Sequence, residues 1–137
     1  MKSIKVKDYM NDYVLKFSPT DDMYRAIEGL RQRDVSSAPV LDKDGRLVGM
    51  LSQWCCLRSL VHGSYFEEVG GQIGDFMQTE LVTAGPDDDI VDVAEMLVER
   101  QWHHGVPIMD GERLVGMLSC SDILTMVNEF EKGKPPK

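Results

Sequence analysis

Basic residues are the scarce charge in this chain. Its 137 residues carry 15 Lys and Arg against 23 Asp and Glu, a formal net charge of -8. Affinity for a phosphate backbone or an acidic membrane comes from a Lys/Arg surface, so this balance argues against a general binder of nucleic acid or membrane. It leaves room for a small anion, which needs only a few local donors. Long apolar runs are missing too. None approaches the ~20 residues of a membrane span, and the opening MKSIKVKDYM holds no apolar stretch of the signal-peptide kind. Cysteine is limited to Cys55, Cys56 and Cys120, an odd number without a disulfide-framework spacing, which fits a reducing compartment. The expected location is the cytoplasm.

Catalytic and metal motifs are lacking as well. The sequence has no P-loop, no nucleophile elbow and no histidine–acid constellation at a recognisable spacing. His103 and His104 are adjacent, but side chains at i and i+1 diverge, and no acid or cysteine stands at a ligand spacing from them, so no metal is expected. His62 is isolated. Cys55 and Cys56 form no C-x-x-C motif, and neighbouring cysteines bridge poorly. A sulfenic-acid sensor at Cys55, near a helix start that would lower its thiol pKa, is a separate reading decided by thiol reactivity. The chain is expected not to be an enzyme.

What is present is a repeat. R-L-V-G-M-L-S begins at Arg46 and again at Arg113. The same spacing of 67 residues relates Gly49 to Gly116, Pro19 to Pro86, Met10 to Met77, and VKDYM to IGDFM. SSAPVLDKDG and HGVPIMDG match with a shift of one residue. Each copy reads β-α-β-β-α. YVLKF or LVTA gives a first strand. SPTDD or GPDDD, a proline followed by acids, favours a helix N-terminus through capping and the helix dipole. The helix shows apolar residues at i, i+3, i+4 and i+7: Met23, Ala26, Ile27, Leu30 and then Ile90, Val93, Ala94, Leu97. APVL and RLVGMLS are two strands joined by the turn DKDG; VPIM, DGE and RLVGMLS repeat the arrangement. A second helix closes each copy, with the stripe Ile123, Met126, Val127 and Phe130 in the second. The boundaries are 1–67 for the first copy with its lead-in and linker, 68–132 for the second, and a polar, proline-rich tail, 133–137, that reads as disordered. Residues 63–72 connect the copies. A unit of ~60 residues is marginal alone, so the two are expected to share a core.

The DYM/DFM lead-ins, Pro19 and Pro86, APVLD and VPIMD, and GMLS followed by CSDIL resemble a pair of CBS motifs, the Bateman module, from about Val6 to Phe130. The resemblance implies an α/β (α+β) fold of two β-α-β-β-α repeats packed sheet to sheet with pseudo-two-fold symmetry. It also implies two clefts that take adenosine-containing ligands: AMP, ADP, ATP or S-adenosylmethionine. No cofactor is required. The module would be a stand-alone pair that forms a homodimer and regulates an unidentified protein.

Two residues carry the site question. Three positions after Ser119 stands Asp122, and three positions after Ser52 stands Cys55. On spacing alone Ser119 and Asp122 read as a capping box at a helix start. In the context of the repeat they read as a ligand site, since a carboxylate accepts from both hydroxyls of a ribose and a helix start with hydroxyls suits phosphate. The resemblance then implies an intact cleft of Ser119, Ser121 and Asp122 with Tyr13, Val14, Val35, Ser36 and Ser37. A degenerate cleft would combine Ser52 and Cys55 with Leu81, Val82, His103 and His104, its rim made bulkier and more apolar by Trp54 and Cys56. A thiol is a weak donor and acceptor, so Cys55 does not replace the aspartate. His104 stands where family members place a basic residue that reaches phosphate, and a histidine there would make binding pH-sensitive; equally it reads as a partly exposed strand-start histidine. The alternative to a nucleotide sensor is a ligand-free dimerisation or interaction module.

Overall fold

The computed structural model describes residues 3–63 and 71–131. Most of the 63–72 connector and the whole 133–137 tail lie outside them.

The helix starts follow the proline and the acids, though by different bonds. Helix α1 (Met23–Arg33) is capped by Asp22, which is extended and accepts from the Tyr24 N–H at 2.7 Å. Just upstream, the Asp21 carboxylate accepts from the Ser18 N–H at 2.8 Å. The second copy repeats this inner bond, Gly85 N–H to Asp88 at 2.8 Å. Asp89, however, does not cap its own helix; its carboxylate accepts from the Ile4 N–H and the Ser3 hydroxyl, both at 3.3 Å.

Strands β1 (Ser37–Leu41) and β2 (Leu47–Ser52) pair antiparallel, as do β3 (Val106–Asp110) and β4 (Arg113–Leu118). Each pair slips by a bulge, after Val40 and after Ile108. Each turn needs a left-handed residue, and glycine supplies it: Gly45 at φ 82° and Gly111 at φ 63°. The expected first strands shrink to single parallel bridges, Phe17 to Val40 and Ala84 to Ile108. Two residues on stand Pro19 and Pro86, and a proline has no N–H with which to extend a ladder.

On the other side of each pair a lead-in residue exchanges both backbone bonds with the strand, and here the copies cross. Gln78 bonds Met50 at 2.8 Å in both directions; Asn11 bonds Met117 at 2.8 and 2.9 Å. The lead-in of the first copy therefore sits on the strands of the second, and the reverse. The crossing extends further. Val6 N–H donates to Asp88 C=O at 2.9 Å, and the equivalent Ile73 N–H donates to Asp21 C=O at 2.8 Å. The first lead-in forms a 3-10 turn at Val6–Asp8, and the second a short helix, α3 (Ile73–Phe76). Contacts accordingly divide the chain into two compact units, one within Met1–Val14 and Val82–Lys137, the other within Leu15–Leu81. The sequence repeat and the packing unit are offset by a lead-in.

Each unit has its own buried cluster. Helix α4 (Ile90–Arg100) contributes Ile90, Val93 and Leu97 to one, joined by Ile4 and Val6 from the crossing lead-in. Helix α1 contributes Met23, Ala26 and Leu30 to the other, joined by Ile73 and Phe76. The exchanged lead-in supplies the apolar surface that a bare repeat lacks.

The same crossing explains a residue in the repeated strand. Met10 lies over Gly116 and Met77 over Gly49; a Cβ on either glycine would come to 2.6 or 2.5 Å from the thioether sulfur. Backbone carbonyls, Asn11 and Gln78, stand at 3.1 Å and limit relief. Gly116→Ala should lower unfolding free energy by about 1–3 kcal/mol. A urea-denaturation cycle with Met10→Ala should show the two substitutions to be coupled.

The closing helices are α2 (Gln53–Gly63) and α5 (Cys120–Glu131). In α5 the expected stripe is only half realised: Ile123 and Met126 are buried, while Val127 and Phe130 are 50% and 39% exposed. Val127 stands at the edge of the face that carries Ile123 and Met126, while Phe130, seven residues after Ile123, keeps to that face but lies in the last turn of the helix.

Candidate functional site

Helix α5 begins where β4 ends, and Ser119 and Asp122 hold that junction reciprocally. The Ser119 N–H donates to Asp122 Oδ2 at 2.8 Å, and the Asp122 N–H donates to Ser119 Oγ at 3.1 Å. This is a closed capping box. It occupies one carboxylate oxygen; no hydrogen bond among the described residues engages Oδ1. A carboxylate offers about four acceptor positions, so the cap and a ligand can use the group together. Asp122 and Ser119 are half-buried and Ser121 is exposed. Nearby negative charge is favoured at this end of α5 by the helix dipole.

The first copy keeps the outline and changes the chemistry. The Cys55 N–H donates to Ser52 Oγ at 3.3 Å, and that hydroxyl donates to the Cys55 sulfur at 3.4 Å. Cys55 is only 3% exposed and belongs to the buried cluster of its unit; Ser52 is buried as well. The expected weak site residue is a core residue. Its burial restricts the access that an oxidant would need, so the geometry lends the thiol-sensor reading no support. Beside it, burial and the neighbouring Cys55 push the Cys56 thiol up to about 11, away from thiolate chemistry at neutral pH.

The remaining expected residues fall as follows. Tyr13 and Val14 belong to the same compact unit as Ser119, Ser121 and Asp122. Their segment leaves from the edge of β4, where Asn11 bonds Met117, and the Tyr13 N–H donates to the Asn11 side chain at 3.0 Å. Tyr13 is 77% exposed. Val35, Ser36 and Ser37 belong to the other unit, at the start of β1; Val35 packs against that unit's core, and the Ser36 carbonyl accepts from the Gln53 N–H at 3.0 Å. Of the second expected set, Ser52, Cys55 and Leu81 lie in one unit and Val82, His103 and His104 in the other, with Val82 buried in its core. Among the described residues no group of three or more His, Cys, Asp or Glu side chains is placed to hold a metal.

His104 is partly buried and stacks edge-on to Trp102, ring centroids 5.2 Å apart. Burial, and then the charge of His103, hold its pKa below the ordinary 6.5. The unfolded chain thus takes up this proton at a higher pH than the folded one, and stability falls as pH drops below about 6.5. His104→Gln should flatten that part of the stability–pH curve, measured by thermal melting between pH 7.5 and 5.

Sequence reasoning missed one surface. The outward face of α2 and the ring of Phe76 enclose a groove of about 590 Å³ lined by Trp54, Leu57, Arg58, Val61, His62 and Phe76. Phe76 lies between Arg58, 6.0 Å above the ring, and His62, edge-on at 5.7 Å. The equivalent pair in the other unit is Tyr9 and Glu129, joined by a hydrogen bond from the phenol. Setting α2 against α5 position by position would have exposed the contrast.

Known proteins supply the frame for this geometry. The CBS-domain family model matches residues 6–62 and 73–129. The chain belongs to the CBS-domain family. It is 31% identical over 121 residues to the CBS domain-containing protein YhcV of Bacillus subtilis, a match covering 86% of this chain and 81% of that one. Among solved structures, the CBS domain pair of protein MJ0100 in complex with 5'-methylthioadenosine and S-adenosylmethionine superposes with a TM-score of 0.84 at 22% identity, covering 94% of this chain and 99% of that one. CBSX2 in complex with AMP superposes with a TM-score of 0.79, also at 22% identity, covering 93% and 98%. At these identities the likeness establishes the fold. Other relatives are longer: the chain spans 42% of the uncharacterized protein MJ1225 of Methanocaldococcus jannaschii and 13% of an A-adding tRNA nucleotidyltransferase of Geobacter sulfurreducens. Among the described residues no helix is long and apolar enough to cross a membrane.

Proposed function

We propose that this CBS pair is a regulatory module, not an enzyme, that binds an adenosine-containing ligand through the Asp122 end of α5. The observation that carries the reading is the difference between the copies. Where the fold needs only a helix start, the second copy presents a half-buried carboxylate with an oxygen to spare, and the first buries a thiol. Asp122 accepts the ribose hydroxyls, while Ser119 and Ser121 donate toward phosphate; Tyr13 and Val14 flank them from the same unit. AMP, ADP, ATP and S-adenosylmethionine share the adenosine part that this set recognises, and the complexes of MJ0100 and CBSX2 support that class. The ligand acts by its differential affinity for two arrangements of a homodimer, which an unidentified partner reads. The module works in the cytoplasm, where its thiols stay reduced.

The completed capping box favours a second reading, in which Asp122 serves only the helix and the pair is a ligand-free interaction module. The two separate on co-purification. Protein denatured directly after purification should release a compound absorbing at 260 nm whose mass identifies an adenosine derivative. Clean protein that also shows no thermal shift with AMP, ADP, ATP or S-adenosylmethionine would leave the ligand-free reading standing.

A further inference from the structure

An Asp-Gly step stands at the tip of each hairpin, and the internal repeat lets the two be compared. Asp44–Gly45 lies between β1 and β2, and Asp110–Gly111 between β3 and β4. All four residues are exposed, and both glycines hold the left-handed conformation. At such a step the main chain can react with its own side chain. The glycine nitrogen attacks the aspartate Cγ, a C–N bond closes a five-membered succinimide, and water leaves. Water then adds back at either ring carbonyl. One opening restores aspartate; the other gives isoaspartate, whose main chain runs through Cβ and Cγ. The net change is an isomerisation with no further reactant. Glycine favours it because it has no Cβ to crowd the attack.

The two turns hold the attacking nitrogen differently. In the first, the Gly45 N–H donates to the Asp42 carbonyl at 3.0 Å. The Asp42 carboxylate accepts from the Asp44 and Arg46 N–H groups, both at 2.9 Å, and the Asp42 N–H donates to the Arg46 carbonyl at 2.9 Å. Attack on Asp44 therefore requires the turn to open. In the second copy Asp110 pairs directly with Arg113, and Gly111 and Glu112 alone form the loop. Asp110 takes the place of Asp42 in the strand pair and is at the same time the residue before the glycine. No upstream carboxylate is left to clamp this turn. Among the described residues no hydrogen bond engages the Gly111 N–H, and no hydrogen bond or ion pair holds the Asp110 carboxylate.

We propose that Asp110–Gly111 is a site of spontaneous isoaspartate formation in the folded protein, and that the Asp42 clamp protects Asp44–Gly45 from the same reaction. The modification adds a carbon to the main chain beside the Asp110–Arg113 pair, so it disrupts the outer end of β3 and β4. These strands bring Val106, Ile108 and Leu118 to the buried cluster of one unit. Chemical ageing therefore falls on the unit that carries Ser119 and Asp122 and spares the other.

The test is incubation of the chain at neutral pH and physiological temperature. Proteolysis, chromatography and electron-transfer fragmentation then separate isoaspartyl from aspartyl peptides. In the folded chain isoaspartate should gather at Asp110 about tenfold faster than at Asp44, a factor within the reach of one or two hydrogen bonds that must open. In denaturing guanidinium chloride the two sites should react at similar rates, since both are then bare Asp-Gly steps. Asp42→Ala should quicken Asp44 several-fold, with Asp110 of the same molecule as the unchanged reference. Gly111→Asn should slow Asp110 to the rate of Asp44 or below. Asparagine accepts the left-handed conformation, and no atom lies within 4 Å of where its Cβ would stand. Equal rates at the two sites of the folded chain overturn the proposal. So does a folded chain that forms no isoaspartate at Asp110 while the denatured chain does. An Asp42→Ala chain in which Asp44 stays slow overturns the clamp.

Discussion

Cys55→Asp is expected to destabilise the fold by about 3–5 kcal/mol, the usual cost of an uncompensated buried charge. The substitution gives the first copy the acid that the second has at Asp122. The environments differ, however. Asp122 is half-buried and its carboxylate accepts from a backbone N–H at 2.8 Å. Cys55 is 3% exposed in a cluster with Leu51, Ile73 and Phe76. Burial there would raise the new carboxyl's pKa above its unfolded value of about 3.9. The folded state would then hold the proton more tightly than the unfolded state, so the deficit against wild type should grow as pH rises from about 4. Urea unfolding at pH 5 and pH 8 measures both effects. A loss below 1 kcal/mol, unchanged between the two pH values, would mean that this site opens to water as readily as its counterpart. The difference between the copies would then be one of sequence only.

Asp122→Ala is expected to act twice. Removing the carboxylate from the capping box should cost about 0.5–2 kcal/mol of stability. Removing the acceptor for the ribose hydroxyls should weaken an adenosine ligand by about tenfold to a hundredfold, the equivalent of charge-assisted hydrogen bonds worth roughly 1.5–3 kcal/mol. Ser119→Ala separates the two effects. It deletes the 3.1 Å bond to the Asp122 N–H and so lowers stability to a similar degree, but it leaves the carboxylate in place. Affinity should fall further for Asp122→Ala than for Ser119→Ala. Equal losses of affinity that merely follow melting temperature would assign Asp122 to the helix alone.

Much of the fold was legible because the chain writes it twice. The strand pairs, their glycine turns and the buried faces of α1 and α4 all follow from local periodicity and turn chemistry, which the repeat allows to be checked against itself. The crossing of the lead-ins was not legible. Met10 and Met77 match Gly116 and Gly49 in the order of landmarks, but nothing local states that each methionine covers the glycine of the other copy. Such a pairing is a long-range contact, and a repeat read from spacing assigns the lead-in to its neighbour in sequence. The first strands failed for a local reason, the prolines that follow Phe17 and Ala84. At the site, Asp122 and Ser119 were legible as an acid and a hydroxyl at capping distance, and the structure shows how one carboxylate can serve the helix with an oxygen remaining. The depth of Cys55 was not legible, since a cysteine in a helix start reads the same whether it faces water or the core.

The central claim is that the second copy holds the adenosine-recognising acid and the first does not. Isothermal titration of the wild-type chain with AMP, ADP, ATP and S-adenosylmethionine tests it most directly. The account predicts saturable heat with at least one of them, about one ligand per chain, and its loss in Asp122→Ala. No heat with any of the four, or two equivalent sites per chain that survive Asp122→Ala, would contradict it.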